Sequence, residues 1–348
     1  MGAFIDNETR SSPSIVQPYS HAAGYEACPR TDLIAGCDLR PDVLQAFGER
    51  YGVGPEHRYT SYQEMIERER PDILSIATQP EQRAEVILFA VQHGVRAIYA
   101  EKPLCASVSE AQALVAAVEG QGVAFNMGTN RRWHPGFDAA RELIASGQLG
   151  ALKTLVIYSN GTLFNTSSHW FDTVFRLNDD APLQWAQAHL PRGDELVVGD
   201  EVQDEPASQG QFAFANGVMG HALLSPRNND IEAICEGGVI TARGGGNRFE
   251  LWRLETAGGE RRHVEAPFPE YERASSTLRL IEDLVQALDT GQPTRGGIRV
   301  AATNTELIFA FIESHRRDGA RVPLPLKESS LRFVRSGFRA RQPTYASA

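Results

Sequence analysis

Lysine is nearly absent from this chain: of its 34 basic residues only Lys102, Lys153 and Lys327 are lysines, and the rest are arginine. Cysteine is scarce too. Cys28, Cys37, Cys105 and Cys235 are scattered without C-x-x-C spacing, which excludes a zinc ribbon and a disulfide framework and fits a reducing cytoplasm. No run approaches the roughly 18 apolar residues of a membrane span, and the first ten residues lack the charged and apolar regions of a signal peptide. Myristoylation is excluded by Asp6, which stands where a Ser or Thr is wanted. There is no basic run with interleaved aromatics, and a net charge of −10 argues against a nucleic-acid groove. No H-e-x-x-H or similar spacing points to a catalytic metal.

What remains is a chain of 348 residues with 42% hydrophobic content, enough for two domains with a core each. Over residues 1–128, short β-rich runs alternate with helical patterns. Strands are predicted at 32–37, 73–78 and 123–127 and in the run ending at Lys102, with helices near 43–51, 62–70, 81–93 and from the capping box Ser107-Val-Ser-Glu110. Such alternation predicts a doubly wound, parallel, Rossmann-type sheet. After Gly150 the pattern changes to strands at 154–159, 211–214, 218–224, 231–235, 239–243 and 249–254 joined by Gly-rich turns, so residues 129–348 read as a substrate-binding and oligomerisation α+β domain with a largely antiparallel sheet. Gly244-Gly-Gly-Asn reads as a hairpin turn, and the acidic run 192–205 as an exposed loop able to lid a site.

Three features carry chemistry. Val95-Arg-Ala-Ile-Tyr-Ala-Glu-Lys-Pro103 puts Lys102 at the end of a buried strand, where open α/β sheets keep their ligand crevice, and an ammonium there can lose a proton on desolvation as guanidinium does not. A snorkelling loop lysine is the plainer alternative. Asp38 ends Leu33-Ile-Ala-Gly-Cys37, where a dinucleotide fold places an acid on the adenosine ribose; an N-cap for the following helix is the alternative. Asn130 and Arg131, directly after the 123–127 strand, reach the same sheet edge with donors suited to sugar hydroxyls. Missing is the strand and G-x-G-x-x-G turn that should precede Asp38. Either the chain starts inside that turn, with Gly2 as its last glycine, or the turn is lost.

From about His21 to Pro325 the chain resembles the Gfo/Idh/MocA oxidoreductases, the glucose–fructose oxidoreductase and inositol dehydrogenase group. The matching pieces are Pro71-Asp-Ile-Leu-Ser-Ile-Ala-Thr78, His93-Gly94, Ala100-Glu-Lys-Pro103, Gly128-Thr-Asn-Arg-Arg-Trp-His-Pro135, Ser168-His-Trp-Phe-Asp172, Glu282-Asp283 and Val322-Pro-Leu-Pro325. The resemblance implies an NAD(P)-dependent dehydrogenase or reductase acting on a CH–OH group of a sugar, cyclitol or related polyol, with Lys102 and His169 at the reacting oxygen. It implies a cofactor site at Gly2, Asp38, Arg40, Ala77, Thr78, Glu101 and Lys102, and substrate contacts from Asn130, Arg131, Asn165 and Asp172. Asn165 replaces the first acid of the family's D-x-x-x-H-x-x-D segment, and Asp172, at i+3, shares a helix face with His169 and is expected to orient its ring. Gln79 and Arg83 stand where Pro and His are commoner, so Arg83 is expected to face solvent. Asp38 favours NAD, while Arg40 leaves NADP open. Two alternatives stay open: an NAD-dependent glycoside hydrolase of the same family, and a non-catalytic binding subunit that has lost the nucleotide fingerprint. A homodimer or homotetramer through the second-domain sheet is expected.

Overall fold

The computed structural model describes residues 2–12, 15–227, 229–335 and 343–345. Two parallel groups of strands form its N-terminal part. β1 (Gly36–Cys37) pairs with β2 (Arg58–Tyr59), and β3 (Ile73–Ile76), β4 (Ala97–Ala100) and β5 (Ala124–Met127) form a parallel sheet in the order β3-β4-β5. Helices Pro41–Tyr51, Tyr62–Glu69, Pro80–Gln92 and Val108–Gly120 alternate with these strands. Each carries its own start and stop signals: proline at the first turn of Pro41–Tyr51 and Pro80–Gln92, serine caps at Ser61 and Ser107, and Gly52 in the left-handed region (φ 68°) after Tyr51. The four residues of β4 are fully buried, as befits a central strand covered by helices on both faces.

The first strand is shorter than the sequence predicts, because only Gly36 and Cys37 are paired. Gly36 is needed there, since a Cβ would collide with the Phe47 ring. In a doubly wound sheet the first strand lies between those that here are β1 and β3. Among the described residues no strand occupies that interval, as the sequence leads one to expect. Phe4 packs instead with Val43, Phe47, Tyr51 and Val53, and the Gly2 carbonyl accepts from the Ala22 amide at 2.8 Å.

The second part is a nine-stranded sheet. It contains β6 (Leu152–Ser159), β7 (Leu183–His189), β10 (Gln209–Phe214), β11 (Met219–Leu224), β12 (Asp230–Cys235), β13 (Gly238–Arg243), β14 (Arg248–Ala257), β15 (Glu260–Ala266) and β16 (Val322–Pro323). The order is β15-β14-β13-β12-β6-β11-β10-β7-β16, antiparallel except for the parallel pair β6 and β11. β7 and β15 escaped the sequence because Leu-Gln-Trp-Ala-Gln-Ala-His and Glu-Arg-Arg-His-Val-Glu-Ala carry too little apolar alternation. The run 192–205 is also more ordered than a loop: β8 (Val197–Val198) and β9 (Glu201–Gln203) join β17 (Arg332–Val334) in a small third sheet.

Helices Ser168–Leu177 and Ile298–Arg316 cover one face of the large sheet, with Phe171, Phe212, Phe214, Phe309 and Phe311 at its core. Helix Ile298–Arg316 bridges the two parts, since Ile298, Ala301 and Ala302 belong to the core of the parallel sheet and Leu307 to Ile312 to the other. Helix Ser276–Thr290 returns to β4, burying Leu280, Ile281 and Leu284 against Ala97, Tyr99 and Trp133.

Helix His21–Ala27 docks on the parallel sheet through a buried polar pair. The His21 ring stacks on Tyr99 (3.7 Å between centroids) and its Nε2 lies 3.0 Å from Glu101 Oε1, its Nδ1 2.7 Å from Ser75 Oγ. A carboxylate only accepts, so Nε2–H donates to Glu101 and Nδ1 accepts from the serine hydroxyl. Burial lowers the His21 pKa and keeps the ring neutral, while Glu101, although burial opposes it, is pulled down to about 2 by His21. Both shifts make stability fall with acid. The His21 contribution is present above pH 6.5 and is lost as pH drops below it, and the Glu101 contribution, about 3 kcal/mol, is lost from about pH 4.3 toward 2. Urea unfolding followed from pH 7 to pH 3 should therefore show stability declining in two stages, and Glu101→Gln should flatten the second.

Candidate functional site

Most of the residues singled out in the sequence follow the carboxyl ends of the parallel strands β1, β3, β4 and β5, the edge where such sheets keep their ligands. Asp38 continues the β1 ladder through its amide to the Tyr59 carbonyl (3.2 Å). Its Oδ1 accepts from the Arg40 amide at 3.0 Å and lies 3.4 Å from Arg40 Nε, so Asp38 both ends the strand and caps the turn into the next helix. Gly2 approaches Ala77, a Cβ at Gly2 falling 3.6 Å from that of Ala77. Thr78 is exposed, and its carbonyl accepts from Arg83.

Arg83 is not solvent-facing. It is 2% exposed and donates to the carbonyls of Thr78 and Pro103, tying together the turns that follow β3 and β4. Burial lowers its pKa to about 10. Gly128, after β5, lets the Glu101 carboxylate come close: a Cβ there would lie 3.0 Å from Oε1.

Lys102 points away from Glu101 toward the second part of the molecule. Its Nζ donates to the backbone carbonyl of Asn165 at 3.1 Å and to the Asn165 side-chain oxygen. Asn165 lies in the π-helical turn Leu163–Ser167, which leads into helix Ser168–Leu177 and hence to His169. Burial lowers the Lys102 pKa, partly offset by Glu101 and Glu205. The His169 pKa falls well below its ordinary value, through burial first and then the charges of Lys102 and Arg131, so its ring is neutral near pH 7. Among the described residues no group bonds its Nδ1. Arg131 lies flat on Trp170, its guanidinium carbon 4.1 Å from the ring centre.

Two expected substrate residues are turned elsewhere. Asp172 does not orient His169: both its carboxylate oxygens accept from Arg132 Nε, at 3.1 and 3.0 Å, inside the fold. Arg132, fully buried, also reaches Asp180 at 2.8 Å and the Arg295 carbonyl at 3.0 Å. Helical i+3 spacing put Asp172 near the right face, but a buried guanidinium from the 130–133 turn claims it. Asn130 is buried and donates to Thr277 Oγ1 at 3.1 Å, so it fastens helix Ser276–Thr290 to the end of β5.

The sequence missed other residues around the crevice. Glu205 accepts the Asn165 amide at 3.0 Å and the Thr162 hydroxyl, and pairs with Arg335, which also donates to Gln79 and Glu81 at 3.0 Å each. Tyr19 is near enough to Arg131 and Glu101 for both to act on its pKa, which burial raises. Tyr345 donates to Asp42 at 3.1 Å and sets its ring edge-on to Phe4 near Asp38. None of these stands in a motif, and pairs such as 205 with 335 carry no local signal. Among the described residues no group of three or more His, Cys, Asp or Glu could hold a metal ion.

The profile of the Gfo/Idh/MocA group, described as an oxidoreductase family with an NAD-binding Rossmann fold, matches residues 14–129. Over those residues, about a third of the chain, it is similar to this family. The D-apiose dehydrogenase of Paraburkholderia graminis is 30% identical over 131 residues, 38% of this chain and 34% of the relative. The chain thus aligns with about a third of the length of the curated relatives it matches first. Solved structures extend the likeness in fold to both parts. A Kribbella flavida oxidoreductase domain protein superposes with a TM-score of 0.74 at 16% identity, over 88% of this chain and 95% of that one. An Azotobacter vinelandii inositol dehydrogenase homologue, solved with NADH and myo-inositol, does so at 0.70 and 17%, over 84% and 90%.

Two substitutions separate structural from site residues. Asp172→Ala removes one of the two carboxylates on the buried Arg132, leaving only Asp180, and should cost about 3 kcal/mol of unfolding free energy in a urea titration. Glu205→Gln removes a negative charge that favours the protonated lysine. In protein labelled at the lysine ε-carbon, whose three signals are separable by NMR, Lys102 should then titrate at lower pH than in the parent. An unmoved titration would show that Glu205 does not set its charge.

Proposed function

We propose that this chain is an NAD(P)-dependent oxidoreductase that moves hydride to or from a secondary alcohol or ketone of a sugar, cyclitol or related polyol. The observation that carries this reading is the convergence of a half-buried ammonium, Lys102, and a neutral imidazole, His169, at the carboxyl edge of the parallel sheet. The names of the relatives, an apiose dehydrogenase and an inositol dehydrogenase homologue, support the substrate class.

The residues present fit two ends of a dinucleotide. Asp38 at the end of β1 suits the adenosine ribose, and Thr78, Glu101 and Lys102, after β3 and β4, suit the nicotinamide half. The middle is less complete, because the described residues hold no strand and Gly-rich turn for the pyrophosphate; only Gly2, beside Ala77, stands there. Asp38 favours NAD over a 2′-phosphorylated cofactor, with Arg40 the one nearby group suited to the latter. A bound nicotinamide would supply the hydride acceptor or donor.

The protein's part is proton and charge management. In the oxidising direction neutral His169 accepts the hydroxyl proton and the Lys102 ammonium steadies the developing alkoxide; in reduction protonated His169 returns the proton while the ammonium steadies the same oxygen. Asn165 holds the Lys102 ammonium in place through two acceptors. Because the His169 pKa lies below 6.5, its acidic limb in alcohol oxidation should fall below that pH, and the alkaline limb from Lys102 should fall below that of a free lysine.

We assign the open face of the nine-stranded sheet, with Leu223 and Trp252 exposed, to a homo-oligomeric contact. Four unpaired thiols fit a cytoplasmic setting, and among the described residues no helix is long and apolar enough to cross a membrane.

Titration of NADH and NADPH followed by nicotinamide fluorescence, with a panel of pentoses, hexoses and inositols as substrates, tests this reading. Lys102→Met should lower kcat/KM by about 10²–10⁴-fold while leaving the melting temperature near the parent's. Binding of neither dinucleotide would favour a non-catalytic subunit instead, the reading that the missing pyrophosphate turn suggests.

A further inference from the structure

Buried arginines in this protein have partners. Arg132 has two carboxylates, Arg83 two carbonyls, and Arg176 and Arg279 share Asp138. Arg131 is the exception within the site. Its Nε lacks a hydrogen-bond partner, as do those of Arg83 and Arg176, but unlike theirs the rest of its guanidinium pairs with no carboxylate or carbonyl of the described residues. Two neighbouring polar atoms share this condition, His169 Nδ1 and Trp170 Nε1, the latter on the ring beneath the guanidinium. Unsatisfied buried donors and unpaired charges are costly, and three on touching or adjacent side chains call for a ligand.

The charges around them point the same way. Lys102 and Arg131 both bring positive charge to His169. The nearby carboxylates are engaged elsewhere: Glu101 by His21, and Glu205 by Arg335, Thr162 and the Asn165 amide. Lys102 itself meets only the neutral Asn165.

The second part of the molecule closes over the stacked pair. Gly245, at φ 74°, packs so tightly that a Cβ there would lie 3.2 Å from both Arg131 Nη2 and the edge of Trp170. This turn is fixed by the Gly244 amide on Asp230 Oδ1 at 2.8 Å and the Gly245 amide on the Asn229 carbonyl at 2.9 Å. The Gly245 turn therefore lies against the side of the stack, touching both the guanidinium and the indole edge, and holds the planar Arg131 group in place on Trp170.

We infer that Arg131 is a carboxylate-binding residue and that the substrate is a sugar acid, a polyol bearing a carboxylate, whose acid group sits on Arg131 while a secondary hydroxyl meets Lys102 and His169. This rests on the oxidoreductase reading of the same site. A neutral sugar would leave the guanidinium unpaired, so the inference concerns specificity and not the hydride step.

The test compares two probes that differ at one carbon, D-gluconate and D-glucitol, titrated calorimetrically into the full chain with and without NADH. Gluconate should bind at least about tenfold tighter, a preference of the size expected for one charge-assisted pair. Arg131→Met should abolish the preference, and Arg131→Lys, which keeps the charge without the fork, should retain only part of it. Gluconate binding no tighter than glucitol, or no binding of either under both conditions, would overturn the inference. The parent protein alone decides this should the variants fail to fold. The NADH isotherm, recorded separately, reports on the oxidoreductase reading, so the two can fail independently.

Discussion

The buried Arg132 guanidinium fixes the geometry of everything around the crevice. It stands in the short turn after β5 and holds Asp172 on helix Ser168–Leu177, Asp180 beyond that helix, and the Arg295 carbonyl ahead of helix Ile298–Arg316. One residue of the parallel-sheet side thus clamps the helix that carries His169 against the end of β5, the strand next to the one that carries Lys102. Burial alone would raise the Asp172 pKa, and the adjacent guanidinium opposes that rise. Such a pair is expensive to desolvate and gains little net stability, yet removing either partner is severe. Its value lies in registry: the distance between an ammonium and an imidazole from different parts of the molecule is set by a rigid, dry contact one turn away.

Burial also sets the charge states on either side of that clamp. It keeps His169 neutral and weakens the hold of Lys102 on its proton, and the two positive neighbours of His169 push in the same direction as burial. The usual first acid of the family segment is an asparagine here. Its charge is supplied from a different stretch of chain, by Glu205 on the Asn165 amide, with Arg335 holding that carboxylate in turn. The lysine thus has a neutral acceptor in contact and an acid one bond further out.

Much of the fold was legible because it is written in local patterns. Alternating apolar runs and helix caps located β3, β4 and β5 and the helices between them, and the Glu-Lys-Pro run placed Lys102 at a strand end. The site was legible wherever a residue follows a strand directly, as Asp38, Lys102 and Arg131 do. It was illegible wherever a partner decides the role. Asp172 has the spacing of a histidine partner and is claimed by Arg132; Arg83 has the composition of a surface residue and lies buried on two carbonyls. Glu205, Arg335 and Tyr19 belong to no pattern, since their significance arises from pairings across long separations that helical and strand periods do not encode. β7 and β15 were missed for a different reason, weak apolar alternation.

The site is assembled from positions near 38, 102, 131, 165, 205, 245 and 335, with the closing contact, Arg335 on Glu205, made by the residue that follows β17. Closing such loops costs entropy before any contact rewards it. Competence to act should therefore be among the last properties acquired as the chain is synthesised and folds, and among the first lost when the small β8, β9 and β17 sheet opens. Activity in this protein is, in effect, a sensor of whether its remote segments have come home.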